Sequence, residues 1–337
     1  MDLTNLTHFI GIDISKDTLD CWHRPSGEHM QCANCESGFQ QLNQWITEAG
    51  CTDQNSVICM EDTGIYGKRL LVALTQMGWR CSVEKTTILE KVGPDHHRKD
   101  DQFDAQLLAE YADRFADQLS LSTPAEPVLD QLQQLYAERR RLIRQQTATK
   151  TKQTQSAQQP DCPELVRQGW EEQLQLFDNH IAQLEQHIRQ CIQTHDGLQE
   201  YYDLLVSIPG IGEVTAWMWL ILFFGEQKLN PKAISSRFGV APHSHSSGSS
   251  VRGKTRSSGH GSAEARSTLT MAARSASTHN DKFSAYKQKK LEEGKPWPVV
   301  RNNLVNKLIT IICAIWNSQT CYKSNHESRF DKQKKAA

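Results

Sequence analysis

The chain has 337 residues, of which 38% are hydrophobic, enough for two folded domains with apolar cores. No window approaches ~18 uninterrupted apolar residues, so we expect no transmembrane helix. The net charge of −1 hides an uneven distribution, because residues 228–337 contain 20 lysines and arginines against 6 aspartates and glutamates. A basic C-terminal third indicates a polyanionic partner, although a solvated basic face would have the same composition.

The cysteines are scattered and the polar N-terminus leads directly into a strand-like run. We therefore expect no secretory signal and a cytoplasmic protein with reduced thiols. A C-x-H…C-x-x-C pattern that could bind zinc is formed by Cys21, His23, Cys32 and Cys35. Zinc sites usually have two tight pairs, whereas these residues straddle a predicted hairpin, so ordinary strand cysteines are the favoured interpretation.

The N-terminal part of the chain alternates between short β-rich runs and amphipathic helices. Strands are predicted at residues 9–15, 18–22, 28–32, 56–60 and 79–83. Helices are predicted at residues 37–46 and 66–77, and from Phe103 onward, where apolar residues recur at helical spacing. The order βββαβαβα is that of an RNase H-like (RuvC-like) α/β domain.

Four acidic residues stand at particular positions on these elements. Asp13 and Glu61 each end a strand-like run, and Asp101 and Asp104 lie on one face of the first turn of a helix. An acidic first turn that complements the helix dipole would explain the last two alone. The four together could instead bind Mg²⁺ or Mn²⁺, since clustered carboxylates repel one another and two such ions can clamp a scissile phosphate.

The middle of the chain predicts two long helices separated by Pro160 and Pro163. The second has an a/d heptad run from Leu174 to Cys191. A helical hairpin or a dimerising coiled coil fits this pattern, and so does an intramolecular bundle. The basic residues of the first helix that could follow a phosphate backbone, or lie on a solvated face, are Arg139, Arg140 and Arg144.

Two segments of the C-terminal part are also typical of nucleic-acid contact. Residues 204–216 contain Pro-Gly-Ile-Gly between two predicted helices, which is a helix–hairpin–helix pattern. In this pattern Gly210 and Gly212 let backbone N–H groups approach a phosphate. The alternative is a tight connection between two helices. Residues 238–256 are rich in Ser and Gly and include three cations. This segment is either a flexible basic loop or a loop that presents a serine nucleophile among the phosphate-binding residues Arg252, Lys254 and Arg256.

Five motifs in this order resemble a known family. They are Gly11-Ile-Asp13-Ile-Ser-Lys16, Glu61-Asp-Thr-Gly64, Lys99-Asp-Asp101-Gln-Phe-Asp104, Ile208-Pro-Gly-Ile-Gly212 and Ser247-Gly-Ser-Ser-Val-Arg-Gly253. The chain resembles, over about residues 9–316, the DEDD transposases of the insertion-sequence one-ten family, including the one-eleven-eleven subgroup and the Piv DNA invertases.

The resemblance implies a metal-dependent DNA transposase or recombinase, bacterial, cytoplasmic and associated with the nucleoid. It implies that Asp13, Glu61, Asp101 and Asp104 hold magnesium, and that Ser247 attacks DNA to form a phosphoserine intermediate; Ser250 is the nearest rival. It also implies homo-oligomers, dimers or tetramers, and a bridge RNA from the element that pairs with donor and target DNA.

The resemblance further implies four segments: a RuvC-like catalytic domain (1–122), a helical hairpin or coiled coil (123–200), a mostly α-helical transposase domain with the serine loop (201–325) and a basic tail (326–337). The family's Lys-x-Gly-Asn-like segment is replaced here by Ser258-Gly-His-Gly-Ser262. Two alternatives therefore stay open: a RuvC-like junction nuclease that uses water, and a catalytically inactive nucleic-acid-binding derivative.

Overall fold

The computed structural model describes residues 6–84, 100–124, 126–156, 161–243, 246–247, 251–252, 256–257 and 259–324. Internal contacts divide the chain into two units, Met1–Glu126 and Pro127–Ala337. The predicted basic tail at residues 326–337 lies outside the described residues, and the finer domain boundaries stay predictions.

The first unit is built on a mixed five-stranded sheet. Its strands are β1 (His8–Ile14), β2 (Thr18–Arg24), β3 (Glu28–Ala33), β4 (Ser56–Glu61) and β5 (Cys81–Glu84), and its helices are α1 (Glu36–Glu48), α2 (Ile65–Gln76) and α3 (Asp101–Arg114). The strand order is β3-β2-β1-β4-β5. Short turns make β1, β2 and β3 antiparallel, whereas the helical connections through α1 and α2 make β4 and β5 parallel to β1.

The two faces of this sheet bury different helices. Side chains alternate along a strand, so β1 directs Ile10 and Ile12 to the face covered by α1 and α2. Phe9 faces the other way and packs with Leu108 and Tyr111 of α3. Asp13, at the end of β1, shares the α3 face with Phe9.

Gly11 determines how closely α3 approaches β1. A Cβ atom at this position would lie 2.0 Å from the Ala105 carbonyl oxygen and 2.5 Å from the Ala109 backbone nitrogen. Both atoms belong to the helix backbone and cannot move aside as a flexible side chain can. The helix therefore lies directly on the strand, with no side chain between them.

Gly11→Ala is expected to destabilise the first unit by about 3 kcal/mol or more, at the upper end of the usual effect of overpacking, because backbone atoms occupy the space. Urea unfolding followed by circular dichroism measures the change. Gly169→Ala is the matched control: no atom lies within 4 Å of its Cβ position, and alanine in a helix stabilises by up to ~1 kcal/mol. A wild-type unfolding midpoint for Gly11→Ala would contradict the described packing of α3.

The second unit is mostly helical. Its helices are α4 (Pro127–Ser156), α5 (Glu164–Gln193), α6 (Asp196–Val206), α7 (Glu213–Phe223), α8 (Pro231–Arg237), α9 (Ala263–His279), α10 (Asp281–Glu292) and α11 (Trp297–Ser318). Four two-residue strands, β6 (Pro242–His243), β7 (Ser246–Ser247), β8 (Val251–Arg252) and β9 (Arg256–Ser257), form two antiparallel pairs.

The two long helices pair with each other in opposite directions. The Arg139 guanidinium lies 2.8 Å from the Glu185 carboxylate, and Gln146 Nε2 donates to Asp178 Oδ1 at 2.5 Å. The second contact is seven residues later along α4 and seven residues earlier along α5, so the two helices are antiparallel. The predicted helical hairpin forms within one chain, and a dimerising coiled coil stays a prediction.

Helix α11 supplies the centre of the second core. By length and composition alone it could cross a membrane, and it is the one helix among the described residues that passes this test. Half of its most apolar window is buried. Val300, Leu304, Leu308 and Ile312 are fully covered and pack in one cluster with Trp217. Burial in this core accounts for the apolar composition of α11.

Candidate functional site

The predicted acidic residues of the sheet stand on neighbouring strand ends. The register pairs Ile12 of β1 with Met60 of β4, so Asp13 and Glu61 occupy the next positions on two parallel strands. Both follow the alternation that directs Phe9 and Val57 toward α3. Their carboxylates therefore lie at the same edge and on the same face of the sheet.

Helix α3 brings the other two carboxylates to this edge. Gly11 meets the helix at Ala105 and Ala109. From Gly11 to Asp13 the strand advances about 6–7 Å, close to the rise of one turn of helix. Asp13 therefore lies about one turn from Ala105, beside the first turn of α3, which contains Asp101 and Asp104. Asp100 caps this turn by accepting a hydrogen bond from the Gln102 backbone N–H at 3.3 Å.

Burial and the charges of the cluster both perturb Asp13. The pKa of Asp13 rises from 3.8 to about 6, first because the carboxyl is partly buried and then because Asp101, Asp104 and Glu61 are negatively charged. Three of the four side chains are half-buried and Asp101 is exposed. The four groups, which we call the acidic cluster, offer only oxygen donors, the set that Mg²⁺ and Mn²⁺ prefer. A bound divalent cation would remove the repulsion, so the residues present fit such an ion.

A fifth carboxylate that sequence reasoning missed lies beside the cluster. Glu84 ends β5 and pairs in register with Glu61. Its Oε1 accepts a hydrogen bond from Ser82 Oγ at 2.7 Å. Because Glu84 is in register with Glu61, the two side chains share a face of the sheet. Burial and then the charge of Glu84 raise the pKa of Tyr111 on α3. The available signal was its position directly after a strand-like run, the same signal that identified Asp13 and Glu61.

A cavity of about 210 Å³ opens next to Glu61 at the carboxyl ends of β4 and β5. Its lining includes Thr63, Lys68 and Ser122. Thr63 Oγ1 is buried and, among the described residues, has no hydrogen-bond partner. The cluster thus adjoins an open depression with both apolar and polar lining residues rather than a closed core.

The predicted serine loop contains two nested pairs of strands, β6 with β9 and β7 with β8, and we call residues 242–257 the serine hairpin. Ser247 pairs with Val251, and Ser246 pairs with Arg252. Arg256 pairs with His243 at the base. The described structure includes the backbone of Ser247, Arg252 and Arg256 but not their side chains. Lys254 and the rival Ser250 lie outside the described residues.

The base of the serine hairpin is fixed to two helices. Arg266 of α9 donates to the Phe238 oxygen at 3.2 Å and to the Gly261 oxygen at 3.0 Å, which joins the two ends of the loop. Asn302 and Asn306 of α11 each donate to the Val240 oxygen at 3.0 Å. A rigid helical base therefore holds the segment that contains Ser247.

The departure from the family pattern at residues 258–262 has a structural use. Ser262 Oγ accepts from the Ala265 N–H at 3.2 Å and so caps α9. Gly261 supplies the carbonyl that Arg266 binds. The altered segment thus closes the base of the serine hairpin.

The predicted arginines of α4 have different surroundings. Arg139 is paired with Glu185 and lies over the Trp217 ring at 5.6 Å. Arg140 is paired with Glu264 of α9, whereas Arg144 is exposed. Arg144 is the most accessible of the three for a phosphate backbone.

The Pro-Gly-Ile-Gly segment forms the turn between α6 and α7. Gly210 has a φ of +85°, and a Cβ there would lie 2.4 Å from the Ala272 oxygen of α9. Gly212 precedes α7, and no atom lies within 4 Å of its Cβ position. Gly210 therefore packs inside the unit, and Gly212 is the more open of the two predicted phosphate contacts.

The C-x-H…C-x-x-C residues do not gather into one site. The thiols of Cys21 and Cys32 hydrogen-bond to each other. The Cys35 thiol lies 3.2 Å from Ser37 Oγ. Among the described residues, the His23 ring contacts His8, Ser26 and Cys51 rather than these three cysteines. Cys21 and Cys32 lie in β2 and β3, and Cys35 lies directly before α1. The interpretation of these three as ordinary cysteines stays a prediction.

Comparison with known proteins places the chain in a class of enzymes. A family model described as transposase, of the DEDD type, matches residues 10–159, and a model described as the transposase IS116/IS110/IS902 family matches residues 202–288. The chain is also 26% identical over 313 residues to the pilin gene-inverting proteins of Moraxella bovis and Moraxella lacunata, alignments that cover 91% of this chain and 95% of each relative. Both family models describe transposases. The chain belongs to the IS110 family of transposases.

Proposed function

We propose that this protein is the transposase of an insertion sequence, which cuts and rejoins DNA through the acidic cluster and a serine nucleophile. The observation that carries the proposal is the convergence of Asp13, Glu61, Asp101 and Asp104, expressed in the raised pKa of Asp13. A carboxyl group whose pKa is raised by burial and by neighbouring negative charges, without a salt bridge, is typical of functional sites. Mg²⁺ or Mn²⁺ held by these four residues would supply positive charge beside the scissile phosphate.

The strand order supports an RNase H-like (RuvC-like) assignment for the first unit. Three antiparallel strands followed by two parallel ones, in the order β3-β2-β1-β4-β5, match the βββαβαβα pattern of that fold. In this arrangement the acidic residues occupy the ends of central strands. Catalysis would then take place at the end of the sheet where Asp13 and Glu61 lie.

The second unit is proposed to present the nucleophile and bind the nucleic acid. The Ser247 hydroxyl loses its proton to water as its oxygen bonds to phosphorus, and the bond from phosphorus to one deoxyribose oxygen breaks; that oxygen takes up a proton. Attack by a deoxyribose hydroxyl on the phosphoserine later restores a phosphodiester and frees Ser247. Arg252, Lys254 and Arg256 would neutralise phosphate charge, with further contacts from Arg144 and the N–H groups that follow Gly212.

The names of the relatives support rejoining over simple cleavage. The Moraxella relatives are named for inverting a pilin gene, and inversion requires every cut strand to be resealed. A covalent phosphoserine conserves the energy of the phosphodiester, whereas attack by water does not. We therefore favour the serine recombinase over a junction nuclease.

Two partners complete the proposal. A bridge RNA encoded by the element would choose donor and target DNA by base pairing, and the basic C-terminal third supplies charge for a second polyanion. Dimers or tetramers would bring the acidic cluster of one subunit to the serine hairpin of another.

A covalent-adduct assay tests this function. Full-length protein is incubated with labelled element-end DNA, RNA transcribed from the element's flanks and MgCl₂, then denatured and separated. Labelled DNA attached to protein, absent when EDTA replaces MgCl₂, is the expected result. Cleaved ends without an adduct would instead indicate the nuclease, and nucleic-acid binding without any cleavage would indicate the inactive derivative.

A further inference from the structure

A second cluster of metal-ligating side chains lies at the opposite end of the sheet from the acidic cluster. It consists of His8 at the start of β1, His23 near the end of β2 and Cys51 in the turn that follows α1. His8 and Asp13 are five residues apart on β1, about 16 Å along a strand. The two clusters are therefore separate sites.

The potential ligand atoms are already close together. His8 Nδ1 lies 3.0 Å from His23 Nε2, which lies 3.6 Å from Cys51 Sγ. All three atoms are within 4.8 Å of one another. Around a tetrahedral zinc ion, nitrogen and sulfur ligands stand about 3.3–3.6 Å apart, given Zn–N and Zn–S bonds of roughly 2.0 and 2.3 Å. The ion would replace the present contact between His8 Nδ1 and His23 Nε2, and the two rings, now 5° from parallel, would turn so that both nitrogens face it.

The surroundings orient His23 as a ligand. Its other ring nitrogen, Nδ1, lies 2.8 Å from Ser26 Oγ, the kind of outer partner that fixes the tautomer of a metal-bound histidine. Trp45 packs edge-on against the ring, with centroids 6.0 Å apart. Nε2 is thereby directed toward His8 and Cys51.

Backbone contacts hold the three elements together before any ion binds. The N–H groups of Thr7 and His8 donate to the Asn55 oxygen at 2.9 and 3.1 Å. The Asn55 side chain donates to the Gly50 oxygen at 3.1 Å, one residue before Cys51. His23 and Cys51 are buried, whereas His8 is half-exposed and gives access from solvent.

The protonation states of His23 and Cys51 are those of an uncharged site that can bind a cation. Burial, followed by the nearby His8, lowers the pKa of His23, so its ring is uncharged at neutral pH. Burial raises the pKa of the Cys51 thiol to about 11. A bound cation would displace the thiol proton and leave a thiolate ligand.

We propose that His8 Nδ1, His23 Nε2 and Cys51 Sγ bind one zinc ion, with water as the fourth ligand at the half-exposed side. The ion would fasten the start of β1, the end of β2 and the α1–β4 turn, and so stabilise the first unit. This site differs in chemistry from the acidic cluster, because thiolate and imidazole select zinc whereas carboxylates select magnesium. It does not depend on the proposed function.

Cobalt substitution tests the site on the full-length protein. Metal-free protein is titrated with CoCl₂ in excess MgCl₂, so that magnesium competes with cobalt for any carboxylate site. One equivalent is expected to produce a thiolate-to-cobalt charge-transfer band and the visible bands of tetrahedral cobalt, both bleached by ZnCl₂. Absence of these bands in the wild type would overturn the proposal, and the three side chains would then form a hydrogen-bonded cluster only.

Matched variants locate the ligands. Cys51→Ala is expected to abolish the charge-transfer band and the rise in melting temperature caused by zinc, whereas Cys32→Ala, another buried cysteine of this unit, retains both. His8→Gln changes a half-exposed ligand and is expected to weaken zinc binding. It tests the site independently in case Cys51→Ala fails to fold. Ser26→Ala is expected to lower zinc affinity about 10–100-fold without removing a ligand. A band that persists in Cys51→Ala and vanishes in Cys32→Ala would place the ion elsewhere and refute the assignment.

Discussion

Asp13→Asn is expected to lower the yield of the covalent protein–DNA adduct by at least about a thousandfold, the effect of several kcal/mol of lost transition-state stabilisation. The pKa of Asp13 is raised by burial and then by the charges of the other three members of the acidic cluster. The amide keeps the size of the side chain but removes the charge that would hold a divalent cation. Single-turnover assays at saturating MgCl₂ measure the change.

Asp53→Asn is the matched control, because Asp53 is an exposed aspartate of the same unit and should leave the adduct yield unchanged. Full activity in Asp13→Asn would remove the acidic cluster from the mechanism. Equal loss in both variants would point to a general effect of charge on DNA binding.

The same substitution should stabilise the metal-free protein. The folded-state pKa of Asp13, about 6, is above its ordinary value of 3.8, so ionisation of this group opposes folding. The penalty is fully present above pH 6 and disappears as the pH falls through 6 toward 4. After allowance for solvent screening, Asp13→Asn should gain on the order of 1–2 kcal/mol at pH 8 in EDTA, and little below pH 4, in urea unfolding. A less stable variant at pH 8 would contradict the described burial and repulsion of the Asp13 carboxylate.

Ser247→Ala is expected to abolish the covalent adduct, a loss of at least about a thousandfold, because no other group can supply the attacking oxygen from that position. RNA and DNA binding should persist, since the anchors of the serine hairpin at Arg266 and Asn302 are untouched. Denaturing gels report the adduct, and gel-shift assays report the binding.

Ser246→Ala is the control, the neighbouring serine of the same two-residue strand. It should form the adduct at close to the wild-type level. If the adduct persists in Ser247→Ala, the nucleophile is a neighbour such as Ser250, and Ser250→Ala should then abolish it.

Local sequence patterns were sufficient to predict most of the elements of the first unit and the positions of the acidic residues on them. The alternation of β1 and the 3.6-residue period of α3 are local properties, and they predicted a strand ending at Asp13 and a helix beginning near Asp101. The short turns between the first three strands also predicted their antiparallel pairing. Glu84 has the same strand-end position as Glu61 but lies outside the five motifs.

Contacts between distant residues were decided only by tertiary structure. The pKa of Asp13 depends on α3 lying directly on Gly11, a contact between residues more than ninety positions apart along the chain. Arg139 and Arg140 belong to a basic run by sequence, yet each is paired with a glutamate from another helix. His23 stood in a cysteine pattern with Cys21 and Cys32, but the register of β1 and β2 brings it to His8 instead. Periodicity specifies which face a side chain occupies, whereas its partners depend on how closely the backbones of separate elements can approach, which no local pattern contains.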